Sequence, residues 1–375
     1  MIISLKEYKD EVIYFSLFDI LIKKVGPNRD IYLEDIDISP TTYKRCKNRQ
    51  SKKGRQIIEQ LSDHFGYKIP TNEFIDELEK RINKIYHNIY YKIESKYEED
   101  MQYLEDLLKE NYIIFPIINL VKLFILFSGP KDLQIKFINY SDLFAEVKEC
   151  LPFFNNDLLE LYEIYNIIVL KEIDVKLLAK DYKNELCYSV LTFKLFKKQR
   201  FVECLYLSEK IKRQYLKDEN FKRLYSINLN IMACYNSLEE YQQAYDLTSK
   251  QMLSLESLEL DNFHYETAEF HHLVACLGLG KYQEIIDILD YRQKYQMKYM
   301  LMLLIAKFKI GLDEYYEIYN SLSISNLTNI TKEFISVVND IVINNVVEKI
   351  DELNNSKFNI SSALTNIVKK MFVQE

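Results

Sequence analysis

The chain has 375 residues, 48% of them apolar and 28% charged, with a formal net charge of -7. That length holds two or three domains and a sizeable core, which excludes a disordered chain and a small disulfide-stapled fold. Only 7 Gly and 6 Pro occur; every proline lies in the first 152 residues, and the remaining 223 hold only Gly278, Gly280 and Gly311. Sheets and glycine-loop nucleotide sites need turn punctuation that this half lacks, so an all-α fold is expected.

Charge divides the chain unevenly. Residues 1–68 carry 13 Lys/Arg against 10 Asp/Glu, a net of +3, whereas the other 307 carry 36 against 46, a net of -10. A basic head on an acidic body suits a polyanion-facing module joined to a different one. The opening MIISLKEYKDEVIYF alternates charged and apolar residues and does not read as a secretory leader. A cytoplasmic protein is therefore expected. Its six scattered cysteines (Cys46, Cys150, Cys187, Cys204, Cys234, Cys276) would be reduced and mostly buried.

The head, residues 1–68, reads as a small helical bundle. Tyr14–Lys24 is an apolar helix stopped by Gly26-Pro27. Asn28 can cap a short helix over Arg29–Ile36, and Asp37-Ile38 makes a tight connection to Ser39-Pro40. Serine before proline is a strong helix start: the hydroxyl takes an orphan N–H, and proline suits the first helical position. That helix runs SPTTYKRCKNR; the next, Arg55–Phe65, lines up Ile57, Ile58, Leu61 and Phe65 on one face.

Two short helices with a brief connection are the ingredients of a helix-turn-helix. Between Lys44 and Arg55 stand seven cations (Lys44, Arg45, Lys47, Arg49, Lys52, Lys53, Arg55) and no acid. At the end of a second helix and in the loop behind it, such cations would meet a phosphate backbone. The expected assignment has Lys44, Lys47, Lys52, Lys53 and Arg55 on phosphates. Thr41, Thr42, Tyr43, Arg45 and Arg49 would lie toward the bases, and Asn48 would belong to the same interface. The stretch ISPTTYKRCKNRQSKKGRQIIEQLSDHFGYKI resembles the second half of an XRE/Cro-type helix-turn-helix, with Ser39, Tyr43 and Arg45 in an approximate S-x-x-Y-x-R pattern offset by Pro40.

Residues 69–111 read as a connecting segment. Leu78, Ile82, Ile85, Ile89, Ile93, Tyr97, Met101, Leu104 and Leu108 recur at steps of three and four. One long helix or two in succession fit this stripe, which would zip to a second copy or pack on the body. The apolar run Tyr112–Phe127 is broken by Pro116, Asn119 and Lys122, too short for a membrane span and suited to a buried helix.

Within residues 112–375, four segments align on an aromatic after a polar turn: KKQRFVECLYL, SLEEYQQAYDL, GLGKYQEIIDI and GLDEYYEIYNS. The aromatics are Phe201, Tyr241, Tyr282 and Tyr315, each followed three residues on by Cys204, Ala244, Ile285 or Ile318. An aromatic plugging a helix hairpin, with a smaller residue one turn later, is the junction this pattern predicts. It resembles the tetratricopeptide turn, best kept at Gly280-Lys281-Tyr282. Such repeats stack into a superhelix with a concave groove. By that resemblance Ser226, Asn230, Ala233, Asn236, Thr267, His271, Val274 and Lys307 would line the groove, and Asn230 and Asn236 would clamp the backbone of an extended peptide.

No HExxH, P-loop, GxGxxG or GxSxG occurs, and His264, His271 and His272 offer no third ligand at a recognisable spacing. No enzyme, cofactor or metal is expected. A helix-turn-helix bundle followed by a degenerate tetratricopeptide-like α-superhelix is similar to the peptide-sensing transcription regulators of Gram-positive bacteria and their phages. That group comprises the Rgg, PlcR and PrgX regulators and the AimR-like arbitrium receptors. The resemblance implies a homodimer on double-stranded DNA, controlled by a short signalling peptide, with no membrane partner. The alternative is a repeat scaffold that binds a protein and no DNA.

Overall fold

The structure is a computed structural model that describes residues 2–26, 28–93, 97–128, 140–256, 262–290, 296–324, 328–354 and 356–373. Pro27 and residues 94–96 of the connecting segment lie outside the described residues. The fold is all-helical, and the one β-type pairing among the described residues is an isolated parallel bridge between Lys68 and Tyr112. Two compact units divide inside the helix Glu185–Lys197: Met1–Lys194 and Leu195–Glu375.

In the first unit, α1 (Tyr14–Val25), α2 (Arg29–Asp35), α3 (Pro40–Lys47) and α4 (Gly54–Phe65) follow the expected boundaries to within a residue or two. The caps are local and explain this. Asn28 Oδ1 accepts from the amides of Asp30 and Ile31, and Ser39 Oγ accepts from Thr42 N with Pro40 behind it. Asp37 takes a left-handed φ of 60°, which makes the connection between α2 and α3 tight.

The connecting segment forms two helices, α5 (Asn72–Tyr90) and α6 (Tyr97–Lys109). Leu78, Ile82, Ile85, Ile89, Met101 and Leu104 are buried, and both helices pack on α7 (Phe115–Ser128), itself buried along most of its length. The stripe belongs to this unit's own core, so a dimer would use another surface. No described helix is long and apolar enough to cross a membrane. The chain's opening residues are held by side chains: Ile3 N donates to Asn83 Oδ1 at 2.8 Å, and Asn83 Nδ2 returns a bond to Ile3 O at 2.7 Å. On the other side Asn155 Nδ2 donates to Ser4 O and Ser4 N to Asp157 Oδ2. Completing this unit, α8 (Tyr140–Glu149) and α9 (Asn156–Val169) also pack on α7, and α10 (Val175–Ala179) and α11 (Glu185–Lys197) follow.

The second unit runs α12 (Phe201–Lys217), α13 (Phe221–Ser237), α14 (Tyr241–Glu256), α15 (Asn262–Gly278), α16 (Tyr282–Leu289), α17 (Met297–Ile310), α18 (Leu312–Ile324), α19 (Asn329–Val342) and α20 (Ser362–Val373). From α12 to α18 consecutive helices pack as neighbours; α13 also packs on α15, α15 on α17 and α17 on α19, and the 3-10 turn Val347–Asn354 packs on both α19 and α20. Three of the aligned turns share one geometry. Gln199, Glu239 and Gly280 are left-handed (φ 59°, 66° and 70°), and the next amide bonds back to the carbonyl five residues earlier, at Leu195, Tyr235 and Cys276. This is a Schellman ending, after which Phe201, Tyr241 or Tyr282 opens the following helix. Cys204, Ala244 and Ile285, three residues on, are fully buried. The fourth turn differs: Gly311 is extended, and Tyr315 lies inside α18 with its hydroxyl donating to Asn339 Oδ1 at 3.0 Å. All six cysteines are buried and free of disulfides.

Candidate nucleic-acid interface

α3 and its C-cap Asn48 present a buried face and an exposed one. Tyr43 and Cys46 are 1% exposed and pack inward, Tyr43 edge-on to Phe15 at 5.0 Å. Thr41, Lys44, Arg45 and Asn48 are exposed, at intervals of three, one and three, which is one continuous helical stripe.

Two of the expected base-side residues therefore change place. Tyr43 is a core residue: its hydroxyl donates to Asp19 Oδ1 at 2.9 Å and to Phe15 O at 3.2 Å, and burial pushes its phenol pKa up, with Asp19 adding to the effect. Thr42 is half-buried, its amide taken by Ser39. The physical reason is the packing of α3 on α1, which claims the face one turn around from Thr41.

The seven cations also divide. Lys47 pairs with Asp19 on α1, Arg49 with Asp10, and Arg55 with Glu11 and with Glu59 at 2.5 Å. All three are thus held by carboxylates of the first unit itself. Lys44, Arg45, Lys52 and Lys53 are exposed and meet no carboxylate at ion-pairing distance among the described residues. Arg49 adopts a left-handed φ of 59°, closing α3 so that Gln50 N bonds back to Arg45 O at 2.7 Å. This turn fixes the path of the loop that carries Lys52 and Lys53. Ion pairs as exposed as those of Arg49 and Arg55 contribute little each.

A second feature was not legible from the sequence: an open cleft of about 580 Å³ beside α1 and α3, lined by Asp19, Lys23, Lys24, Lys47 and Glu149. Its polar walls are already cross-linked, Lys24 to Glu149 at 2.6 Å and Lys47 to Asp19.

The expected groove positions of the second unit turn out to be largely engaged between helices. Asn236 is 3% exposed and its Nδ2 donates to His271 O at 2.9 Å, so it braces α13 against α15 and is not a free peptide clamp. Its Oδ1 has no hydrogen-bond partner among the described residues, and Asn236 lines a cavity of about 120 Å³ with Gln199 and Ser237. Ser226 Oγ donates to Lys222 O at 3.0 Å and lies 3.1 Å from His264 Nε2. Burial, reinforced by the Lys298 ammonium, pushes the His271 ring pKa down to about 4. Lys307 pairs with Asp290 at 3.0 Å. Ala233 and Val274 are buried, whereas Asn230 and Thr267 are half-buried. The paired donor and acceptor of asparagine suit a brace between helices as well as a peptide clamp.

Neither a protein family, nor a curated protein, nor a solved structure matches this chain.

Proposed function

We propose that this protein is a DNA-binding transcription regulator whose first unit carries a helix-turn-helix head. The second unit would be a tetratricopeptide-like repeat body that senses a short peptide, and two copies would place their heads on a pseudo-palindrome. The observation that carries the reading is the exposed stripe Thr41, Lys44, Arg45 and Asn48, followed in the next loop by unpaired Lys52 and Lys53. Polar and cationic groups at helical spacing suit a major groove, and the loop cations suit the flanking phosphates. Four free cations make a modest electrostatic anchor, so one head alone binds weakly and a pair binds usefully. The peptide would act by favouring one placement of the heads over another, which requires different affinities for the two states. Support for peptide sensing is narrower: the repeated Schellman turns after which Phe201, Tyr241 and Tyr282 open helices, and a half-buried Asn230 on α13.

The test is a salt titration of binding to random duplex DNA. A head that neutralises four phosphates gives a slope of about 3 to 4 in log K against log salt. The competing reading, a repeat scaffold without DNA binding, draws on the self-pairing of Lys47, Arg49 and Arg55. It requires essentially no binding at any salt, and that result would remove the regulator reading.

A further inference from the structure

His272 and Cys276 stand one turn apart on α15, and Glu284 lies in the first turn of α16. One ligand atom from each falls within 4.8 Å of the other two. His272 is 4% exposed and Cys276 fully buried, while the Glu284 side chain is 34% exposed and gives the cluster its opening to solvent.

Hydrogen-bonding groups flank the His272 ring on both sides. Thr248 Oγ1 lies 2.9 Å from both Tyr245 O and His272 Nδ1, so it can hold the ring through Nδ1. Nε2, on the other side of the ring, faces Glu284 Oε1 at 2.9 Å. A proton or a metal ion can stand between the two.

Chemistry and surroundings favour a site that can take the metal. The Tyr245 hydroxyl lies 3.1 Å from both Glu284 oxygens, and Lys281 Nζ lies 3.8 Å from Oε2, which leaves Oε1 turned to the histidine. A metal-bound histidine whose other nitrogen is held by a hydrogen bond is the usual outer-shell arrangement. Imidazole, thiolate and one carboxylate oxygen suit a borderline-soft divalent ion and suit calcium or magnesium poorly.

We propose that His272 Nε2, Cys276 Sγ and Glu284 Oε1 form a zinc-class metal site that ties α15 to α16, with Thr248 and Tyr245 of α14 as positioning residues. Three bonds to the ion form; the proton between His272 and Glu284 and the Cys276 thiol proton leave to solvent, and no electron is transferred. The fourth position is open on the Glu284 side. No local motif marks this site, because its third ligand comes from the next helix, across a turn.

The test uses the full chain, stripped with a chelator and titrated with Co²⁺ as the probe. The expected result is one tightly held cobalt per chain, with a thiolate-to-cobalt charge-transfer band in the near-ultraviolet that zinc abolishes by displacement. Cys276→Ser loses the band, Cys234→Ser keeps it, and Thr248→Ala weakens cobalt binding by about tenfold to a hundredfold. Zinc also raises the melting temperature of the wild type but not of Cys276→Ser. Absence of a cobalt band in the wild type overturns the proposal, as does a band lost with Cys234→Ser and kept with Cys276→Ser. Should Cys276→Ser fail to fold, X-ray absorption of the wild-type cobalt protein decides: one sulfur ligand among nitrogen and oxygen supports the site, and none overturns it.

Discussion

Tyr43 donates its phenolic hydrogen to Asp19 Oδ1 at 2.9 Å, tying α3 to α1, and Lys47 closes on the other oxygen of the same carboxylate. Tyr43 thus orients the helix that carries the exposed stripe Thr41, Lys44 and Arg45. Tyr43→Phe keeps the ring against Phe15 and removes only this bond. A hydrogen bond to a charged acceptor is worth about 1.5–3 kcal/mol, reduced here because Lys47 still holds Asp19. The expected loss is about 1–2 kcal/mol by urea denaturation. The salt slope of DNA binding should stay at its wild-type value. A slope lowered by a unit would return Tyr43 to the interface.

Lys52 and Lys53 are the cleanest phosphate candidates, since neither has an internal carboxylate to release. Replacing both with Ala should flatten the salt slope by about two units and weaken all duplexes alike, whatever their sequence. The self-paired cations predict the opposite behaviour. Glu11→Gln loosens Arg55, and Asp10→Asn loosens Arg49 while keeping the oxygen that accepts from Val12 N. Each removes a negative charge beside the proposed groove contact, so affinity at low salt should rise severalfold. Unchanged affinity in both would place Arg49 and Arg55 away from the DNA.

The legible part of this molecule was the part written locally. Asn28, Ser39-Pro40 and the apolar spacing of Ile57, Ile58 and Leu61 set their helices within a few residues, so their boundaries could be read directly. The +3 rule after the aromatics likewise marked Cys204, Ala244 and Ile285, all fully buried, but not Ile318, which is half-buried where the fourth turn departs from the others. What sequence could not supply was pairing across the fold. Asp19 lies 24 residues from Tyr43, and Asp10 lies 39 from Arg49, so a run of seven cations looked uniformly free. The burial of Tyr43 did leave a trace: Tyr43 and Cys46 share a face three residues apart in an otherwise polar helix. Asn236 and the His272, Cys276 and Glu284 cluster left none, because each depends on which helix packs next to which.

Asn83 makes a stability prediction of that long-range kind. Its amide serves both backbone groups of Ile3, a residue with no exposed surface, and it also donates to Glu79 O at 2.9 Å. Asn83→Ala leaves the Ile3 N–H and C=O buried without their partner. An unsatisfied buried group costs about 1–3 kcal/mol, so a total loss of about 2–4 kcal/mol is expected. Hydrogen exchange should show the Ile3 amide losing its protection first. Protection equal to the wild type would mean that the opening segment is held by its other side-chain partners, Glu79, Asn155 and Asp157.

The three Schellman turns offer a reciprocal experiment, because the same backbone geometry is occupied by different residues. Gln199 sits at φ 59° and Gly280 at φ 70°, both exposed, and a Cβ added at Gly280 would meet only the tip of the Tyr282 ring at 3.8 Å or beyond. Sterics from neighbours therefore play no part, and the difference is the intrinsic strain of a side chain in the left-handed region, about 1 kcal/mol. Gln199→Gly relieves that strain and should raise the melting temperature of the second unit by about 2–4 °C, less the extra freedom glycine gives the unfolded chain. Gly280→Gln should lower it by a similar amount. Gly278→Ala must be worse than either, since its Cβ would fall 2.5 Å from the Tyr241 ring that opens α14, forcing the ring or the helix to move. If Gly280→Gln costs more than Gly278→Ala, backbone strain outweighs the fit of the aromatic, and the repeat junction is set by the turn and not by its plug.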